Sequence, residues 1–243
     1  MAQKNFPPLM ILAGGLGTRL GAKHSAAPKA MVEVNGRPFI DHQLSLLHSK
    51  GINNIVLCLG HRAEQIIEFV GDGGRFGLAV EYALDDIDKK KLVGTGGAVL
   101  KASKLTGSPF AVLYGDSYLD IDYLPMMQAF EQSHKAALIS VYRNKNHGVP
   151  SNMQVEDGQV MAYDKMKPGA NMEHIDYGLS IFSEGAFSRF LPGQSFDLSE
   201  VVQDLIKQNL LGAYETAVPF HEVGTEQGIN ELETYLQKKQ ITP

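Results

Sequence analysis

The sequence has 243 residues, 44% hydrophobic and 20% charged, enough for one sizeable core. A formal net charge of -5 excludes the broad basic face of a nucleic-acid binder, though not a local cationic pocket for a nucleotide. No run approaches the roughly 18 apolar residues that span a membrane, and Met1–Pro8 lacks a signal-peptide core, so the expected location is the cytoplasm, with no membrane partner.

The first apolar run, Leu9–Leu12, reads as a buried strand. It breaks into Gly14, Gly15 and Gly17, where missing side chains let backbone N–H groups approach a ligand. Thr18 and Arg19 follow, and Lys29 stands beyond Pro28. Open backbone, a guanidinium and an ammonium together suit a polyphosphate. The P-loop is excluded because no Gly-Lys-Ser/Thr occurs, and Leu20 stands where the dinucleotide fingerprint needs its third glycine. Taken alone, the glycines also suit a plain strand-to-helix turn.

Met31–Val34 reads as a strand, Asn35-Gly36 as a turn, and Pro38 opens a helix to about Ser49, with Gly51 as its cap. Strands at Ile55–Leu59, Leu78–Tyr82 and Phe110–Tyr114 alternate with helices at Ala63–Val70 and Gly96–Ser103, and a polar loop spans Asp85–Lys91. The single cysteine, Cys58, lies in the first of these strands, which excludes an intrachain disulfide and reads as a buried structural thiol. This alternation predicts an α/β protein with a mostly parallel sheet and helices on both faces. Ligands then bind beyond the carboxyl ends of the strands, which puts Gly14-Gly15 and Gly115-Asp116 on one rim.

After Leu138–Tyr142 the texture changes to short pieces. Met153–Val155 and Val160–Tyr163 flank a turn at Asp157-Gly158, and a return strand runs from Ile175 to Phe182. A β-rich lid over the rim is expected, followed by helices at Ser199–Gln208 and Glu226–Gln237. The expectation is one domain over 1–243: a nucleotide-binding core (1–150), a lid region (151–217), and a return to the core (218–243).

Gly14-Gly15-Leu16-Gly17-Thr18-Arg19-Leu20, followed by Pro28-Lys29-Ala30-Met31-Val32-Glu33-Val34-Asn35-Gly36-Arg37-Pro38, resembles the signature of sugar-1-phosphate nucleotidyltransferases. The similarity runs from about Leu9 to Leu236, and the chain is similar to short bacterial members such as heptose-1-phosphate guanylyltransferases and N-acetylmuramate-1-phosphate uridylyltransferases. The resemblance implies a Rossmann-like three-layer sandwich with a mixed, mostly parallel sheet and a small sugar-binding lid. It implies transfer of a nucleoside monophosphate from a triphosphate to a sugar 1-phosphate, with Mg²⁺ as cofactor, for cell-surface glycan precursors. The nucleotide base, the sugar and the oligomeric state stay open.

Roles carry over position by position. Leu12, Ala13, Gly14, Gly15, Gly17 and Thr18 match the nucleotide loop, Arg19 the partner of the leaving phosphates, and Lys29 the residue at the α-phosphate. Gln65 and the turn at Gly94-Thr95 correspond to the nucleoside contacts. Gly115-Asp116 matches the Gly-Asp that binds magnesium, although an Asp after a strand and a glycine also suits a turn. Glu222 stands where the family usually has Asp, as second metal ligand. Lys165 corresponds to the lysine of Glu-Lys-Pro that meets the sugar phosphate, with Met166-Lys167 inserted before Pro168. Asp176-Tyr177-Gly178 occupies the place of Asn-Ala-Gly at the sugar hydroxyls, and an ionised Asp can only accept.

Three other readings compete. Asp120-Ile121-Asp122 has the form of a glycosyltransferase Asp-x-Asp, but Asp122 as a helix N-cap explains it more simply. A phosphocholine-type cytidylyltransferase would need an aromatic cage, and only Tyr163 and Tyr177 stand near Asp176. A non-catalytic relative would have lost the Arg, the Lys or the acids, all of which are present.

Overall fold

Leu9, Met10 and Ile11 are fully buried and form β1 (Leu9–Leu12), on which the sheet is built. The computed structural model describes residues 6–15, 27–85, 93–144 and 149–241. Gly17, Thr18, Arg19 and positions 86–91 of the polar loop therefore lie outside the described residues. On one side β1 pairs in parallel with β4 (Asn54–Leu59), which pairs in parallel with β5 (Ala79–Leu84). On the other it pairs in parallel with β6 (Phe110–Tyr114).

The short strands β2 (Glu33–Val34) and β3 (Arg37–Pro38) form a hairpin apart from the main sheet. Asn35 and Gly36 both have positive φ, 46° and 75°, as a two-residue hairpin turn requires. The expected strand over Met31–Val34 is thereby shortened, because Lys29–Met31 is a 3-10 turn beginning after Pro28. Ser117–Tyr118 (β7) is another short strand, and β8 (Ala137–Tyr142) returns to the main sheet. Then come the hairpin strands β9 (Met153–Glu156) and β10 (Gln159–Tyr163), followed by β11 (Ile175–Phe182), β12 (Leu211–Thr216) and the short β13 (His221–Glu222).

Nine of these strands form one sheet, in the order β5-β4-β1-β6-β11-β8-β12-β10-β9. Only β11 and β10 run against the others, so the sheet is mixed but mostly parallel. The expected α/β class holds. The segment after Val149 is more deeply woven than its texture suggests. It places β11 between β6 and β8, and its hairpin extends the far edge of the sheet.

Alternate side chains of the central strands serve two cores. Leu9, Ile11, Ile55 and Leu57 face α1 (Phe39–Ser49), α2 (Ala63–Val70) and α4 (Leu124–Ser133). Met10, Val56 and Cys58 face α3 (Gly94–Thr106) and α5 (Leu198–Lys207). That is a three-layer sandwich. Each fully buried aliphatic is worth about 1.5–3 kcal/mol, so these alternating runs commit the strands to the centre. The last helix, α6 (Glu226–Ile241), packs on a third cluster with Val34, Phe39, Tyr118 and Val223.

Asp120 fastens that helix. Lys50 lies 2.8 Å from its carboxylate, the Tyr235 hydroxyl donates at 2.7 Å, and Lys239 bonds the same group. Burial alone would raise this carboxyl, but the bonds from Lys239, Lys50 and Tyr235 hold it down at about 2. Asp122 accepts the N–H of Leu124 at 3.2 Å, so it caps the start of α4, one residue outside the expected N-cap position. Both acids of the Asp-x-Asp thus have structural employment, and the glycosyltransferase reading falls.

Candidate active site

The register of β1 with β6 sets Leu12 beside Tyr114, so the loops leaving both strands emerge together. The Gly115 N–H donates to the Leu12 carbonyl at 3.1 Å. A Cβ on Gly115 would stand 2.3 Å from that carbonyl oxygen, so only glycine lets the two loops touch. Gly14 approaches Gly60 similarly, with a hypothetical Cβ 3.1 Å from the Gly60 nitrogen. A Cβ on Gly15, by contrast, would meet nothing within 4 Å.

Above this junction lies a cleft of about 460 Å³. Its walls include Leu12, Ala13, Gly14, Gly15, Lys29, Gly94, Thr95, Gly115, Asp116 and Lys165, most of the positions singled out in the sequence. Lys29, on its 3-10 turn, places Nζ 3.0 Å from Oδ2 of Asp116. The cleft floor therefore presents an ion pair in which both partners are partly solvated.

Glu222 arrives by a different route. β13 pairs antiparallel with β7, setting Glu222 opposite Ser117, and the Val223 N–H donates to the Asp116 carbonyl at 3.0 Å. Its carboxylate accepts from the Gly224 N–H at 3.1 Å and the Thr225 hydroxyl at 3.4 Å. The backbone thus carries Glu222 alongside Asp116, but its side chain is not part of the cleft wall.

One end of the cleft is made by the lysine loop and β11. Lys165 lines it, whereas Lys167 is an exposed turn residue whose N–H donates to Asp164 at 2.9 Å. Behind Lys165, the Asp176 carboxylate accepts from the Tyr114 hydroxyl at 2.6 Å and the Gly178 N–H at 3.0 Å. Burial, and then Asp176 beside it, push the Tyr114 hydroxyl well above its ordinary value, so it stays a donor. Gly178 has φ +101° and packs against Ser117 and Tyr114, behind the wall rather than in it.

The opposite end is the start of α3. The expected turn at Gly94–Gly97 is the first turn of this helix. Phe196 accounts for its glycines: its carbonyl accepts the Gly96 and Gly97 N–H groups at 3.1 and 3.2 Å, and a Cβ on Gly96 would lie 2.4 Å from its ring. Thr95 accepts the Leu198 N–H at 2.8 Å, and Asp197 closes a capping box with Glu200. Asp85, Ala98, Cys58 and Asp197 complete this end. Burial raises the Asp85 carboxyl, with Lys101 opposing. Burial, then Asp85, push the Cys58 thiol up to about 12, which leaves it inert, as its apolar strand predicts. Gln65, on α2, is not in the cleft wall.

Tyr114, Asp85 and Asp197 line the cleft but were missed as site residues. Only Asp197 carried a readable signal, the Asp-x-x-Glu of a capping box. Among the described residues no group of three or more His, Cys, Asp or Glu could hold a metal ion by itself. No described helix is long and apolar enough to cross a membrane.

A glycine-floored cleft at the rim of a three-layer sheet, with a lysine–aspartate pair at its base, defines a nucleotide-handling α/β enzyme. Residues 9–162 match the nucleotidyl transferase family, and the chain belongs to it. It is similar to the D-glycero-α-D-manno-heptose 1-phosphate guanylyltransferase of Campylobacter jejuni, 27% identical over 82% of this chain and 86% of that protein. It is also similar to the N-acetylmuramate α-1-phosphate uridylyltransferase of Neisseria meningitidis, 25% identical over 92% of this chain and 96% of that one. The chain spans about half the length of some other relatives, 53% in the mannose-1-phosphate guanylyltransferase of Mycobacterium tuberculosis. Among solved structures, HddC from Yersinia pseudotuberculosis complexed with GMP-PN superposes with a TM-score of 0.78, at 25% identity, over 95% of this chain and all of that one. The family resemblance carried by the glycine-rich signature is borne out.

Proposed function

We propose that the enzyme transfers a nucleoside monophosphate from a nucleoside triphosphate to a sugar 1-phosphate, releasing pyrophosphate. The observation that carries this reading is the convergence of Gly14-Gly15 backbone, Lys29, Asp116 and Lys165 on one cleft. Two short relatives are named for this chemistry with heptose and N-acetylmuramate phosphates.

A phosphate monoester dianion is already a nucleophile, so the reaction needs positioning and charge stabilisation rather than a general base. Gly14 and Gly15 offer backbone N–H groups to the polyphosphate, Lys29 faces the α-phosphate, and Arg19 meets the leaving phosphates. Gly94 and Thr95 pack beside the nucleoside. Lys165 receives the acceptor's phosphate, with Asp176 and Gly178 behind it.

Asp116, and Glu222 if its carboxylate turned from Gly224 and Thr225 toward the cleft, would supply the hard oxygen donors that suit Mg²⁺. Two carboxylates on adjacent backbone, short of a full protein cage, match an ion that takes its remaining ligands from phosphates and water. When bound there, Mg²⁺ would neutralise charge between the two substrates. Gln65 would join the nucleoside contacts only if α2 approached the cleft on binding.

We read residues 1–150 as the nucleotide-binding core, 151–217 as the sugar-binding lid region, and 218–243 as the return to the core. Lys165 and Asp176 come from the second segment, although β11 and β12 are also strands of the main sheet. The cytoplasm is the setting, and cell-surface glycan precursors are the products, that this reading favours. The test is pyrophosphate release with Mg²⁺, pairing each nucleoside triphosphate with heptose, mannose, glucose and N-acetylmuramate 1-phosphates, and phosphocholine as control. Release with one sugar pair supports the reading; release with phosphocholine alone would replace it.

A further inference from the structure

Lys165 is half-exposed and extends from an irregular loop, so its long side chain has rotamer freedom to lose before it can hold a phosphate. Two sets of contacts remove that freedom in advance. At the backbone, the Asn152 carbonyl accepts the Asp164 N–H at 3.0 Å, while its side-chain oxygen accepts the Asp176 N–H at 3.2 Å. Asn152 thus ties the lysine loop to β11. Asp164 then accepts the N–H groups of Met166 and Lys167 at 2.8 and 2.9 Å, closing a turn around Lys165.

At the head, the ammonium lies 5.4 Å from the ring centroids of both Tyr114 and Tyr163, within cation–π range. It lies 3.9 Å from Oδ2 of Asp176. That carboxylate is only 4% exposed, and each oxygen already accepts a hydrogen bond, from Tyr114 and from Gly178. So enclosed a carboxylate has little surface to offer a sugar hydroxyl. A buried anion is costly unless paired and hydrogen-bonded, and here the nearby cation is the one that lines the cleft.

We propose that Asp176 is a positioning residue: with Tyr114 and Tyr163 it holds the Lys165 ammonium at the cleft wall, preorganised for the acceptor's phosphate. The identity of that acceptor rests on the sugar 1-phosphate reading above; the lysine's placement rests on the side-chain geometry alone. Asp176→Asn keeps the shape and removes the charge.

The kinetic test is a double-mutant cycle of Asp176→Asn and Lys165→Ala, with GTP and heptose 1-phosphate or UTP and N-acetylmuramate 1-phosphate as probes. Asp176→Asn should raise the acceptor KM about three- to tenfold, with the nucleotide KM changed less than about twofold. In the Lys165→Ala background the same substitution should add almost nothing. Fully additive effects, or equal rises in both KM values, would overturn the proposal, since Asp176 would then act on the sugar or on the fold.

A second readout needs no acceptor and also serves if Asp176→Asn folds poorly. The Lys165 side-chain methylene protons, shifted by two tyrosine rings, should move toward ordinary lysine positions in the NMR spectra of Asp176→Asn and of Tyr114→Phe. Unmoved signals in both would overturn the proposal. A wild-type enzyme silent with every sugar phosphate would defeat the functional reading, and the lysine signal would then decide this inference by itself.

Discussion

Lys29 and Asp116 meet at 3.0 Å across the cleft floor, although they are 87 positions apart in the chain. The pair joins the 3-10 turn after Pro28 to the end of β6, so a cation and an anion stand where a polyphosphate and its metal would be handled. Lys29→Ala and Asp116→Ala should each lower kcat/KM about 10²–10³-fold, with the fold intact by circular dichroism. The double variant should lose little more than either single one, because the two act as a unit on one phosphate.

Gly115 and Gly15 make a matched contrast. A methyl group on Gly115 would press on the Leu12 carbonyl at 2.3 Å, whereas one on Gly15 would meet nothing within 4 Å. Gly115→Ala should cost about 1–3 kcal/mol of stability, read as a lower urea midpoint with an unchanged slope. Gly15→Ala should leave stability within about 0.5 kcal/mol, and its effect should appear as weaker nucleotide binding by calorimetry.

The contrast also marks what the chain reveals unaided. The apolar runs Leu9–Leu12, Ile55–Leu59 and Phe110–Tyr114 gave strands at or within a residue of their observed bounds, because a doubly buried strand has little else to be. The shared rim of Gly14 and Gly115 followed from their strands. The insertion of β11 between β6 and β8 did not, since neighbours in a sheet are set by packing between residues 33 to 72 positions apart rather than by local pattern. Nor did the helical start at Gly94, where the contact with Phe196 outweighs glycine's poor helix propensity. Tyr114 was hidden for a similar reason, as its partner Asp176 is 62 positions away.

Asp120 should govern acid stability. Its folded carboxyl sits at about 2, below the ordinary 3.8, so its contribution is present above pH 3.8 and is lost as pH falls toward 2. Because Lys239 is half-exposed and water screens the pair, that contribution is about 1 kcal/mol. Asp120→Asn should lower stability at pH 7 by roughly that amount, and its stability curve should be flatter between pH 4 and pH 2. Urea denaturation across this range measures both.

Cys58 is 2% exposed, and its thiol is pushed up to about 12 by burial. Ellman's reagent at pH 8 should leave it unlabelled in the native enzyme and label one thiol per chain in guanidinium. Blocking reagents should therefore leave activity unchanged.

A sugar 1-phosphate held at Lys165 should attack the α-phosphorus of a nucleoside triphosphate bound in this cleft. Phosphorus NMR of the complete reaction, with Mg²⁺ and the sugar 1-phosphate selected by the acceptor screen, tests it most directly. The acceptor and triphosphate signals should give way to a pyrophosphate diester and free pyrophosphate in equal amounts. A nucleoside diphosphate accompanied by a doubly phosphorylated sugar would mean attack at the γ-phosphorus, and would contradict it.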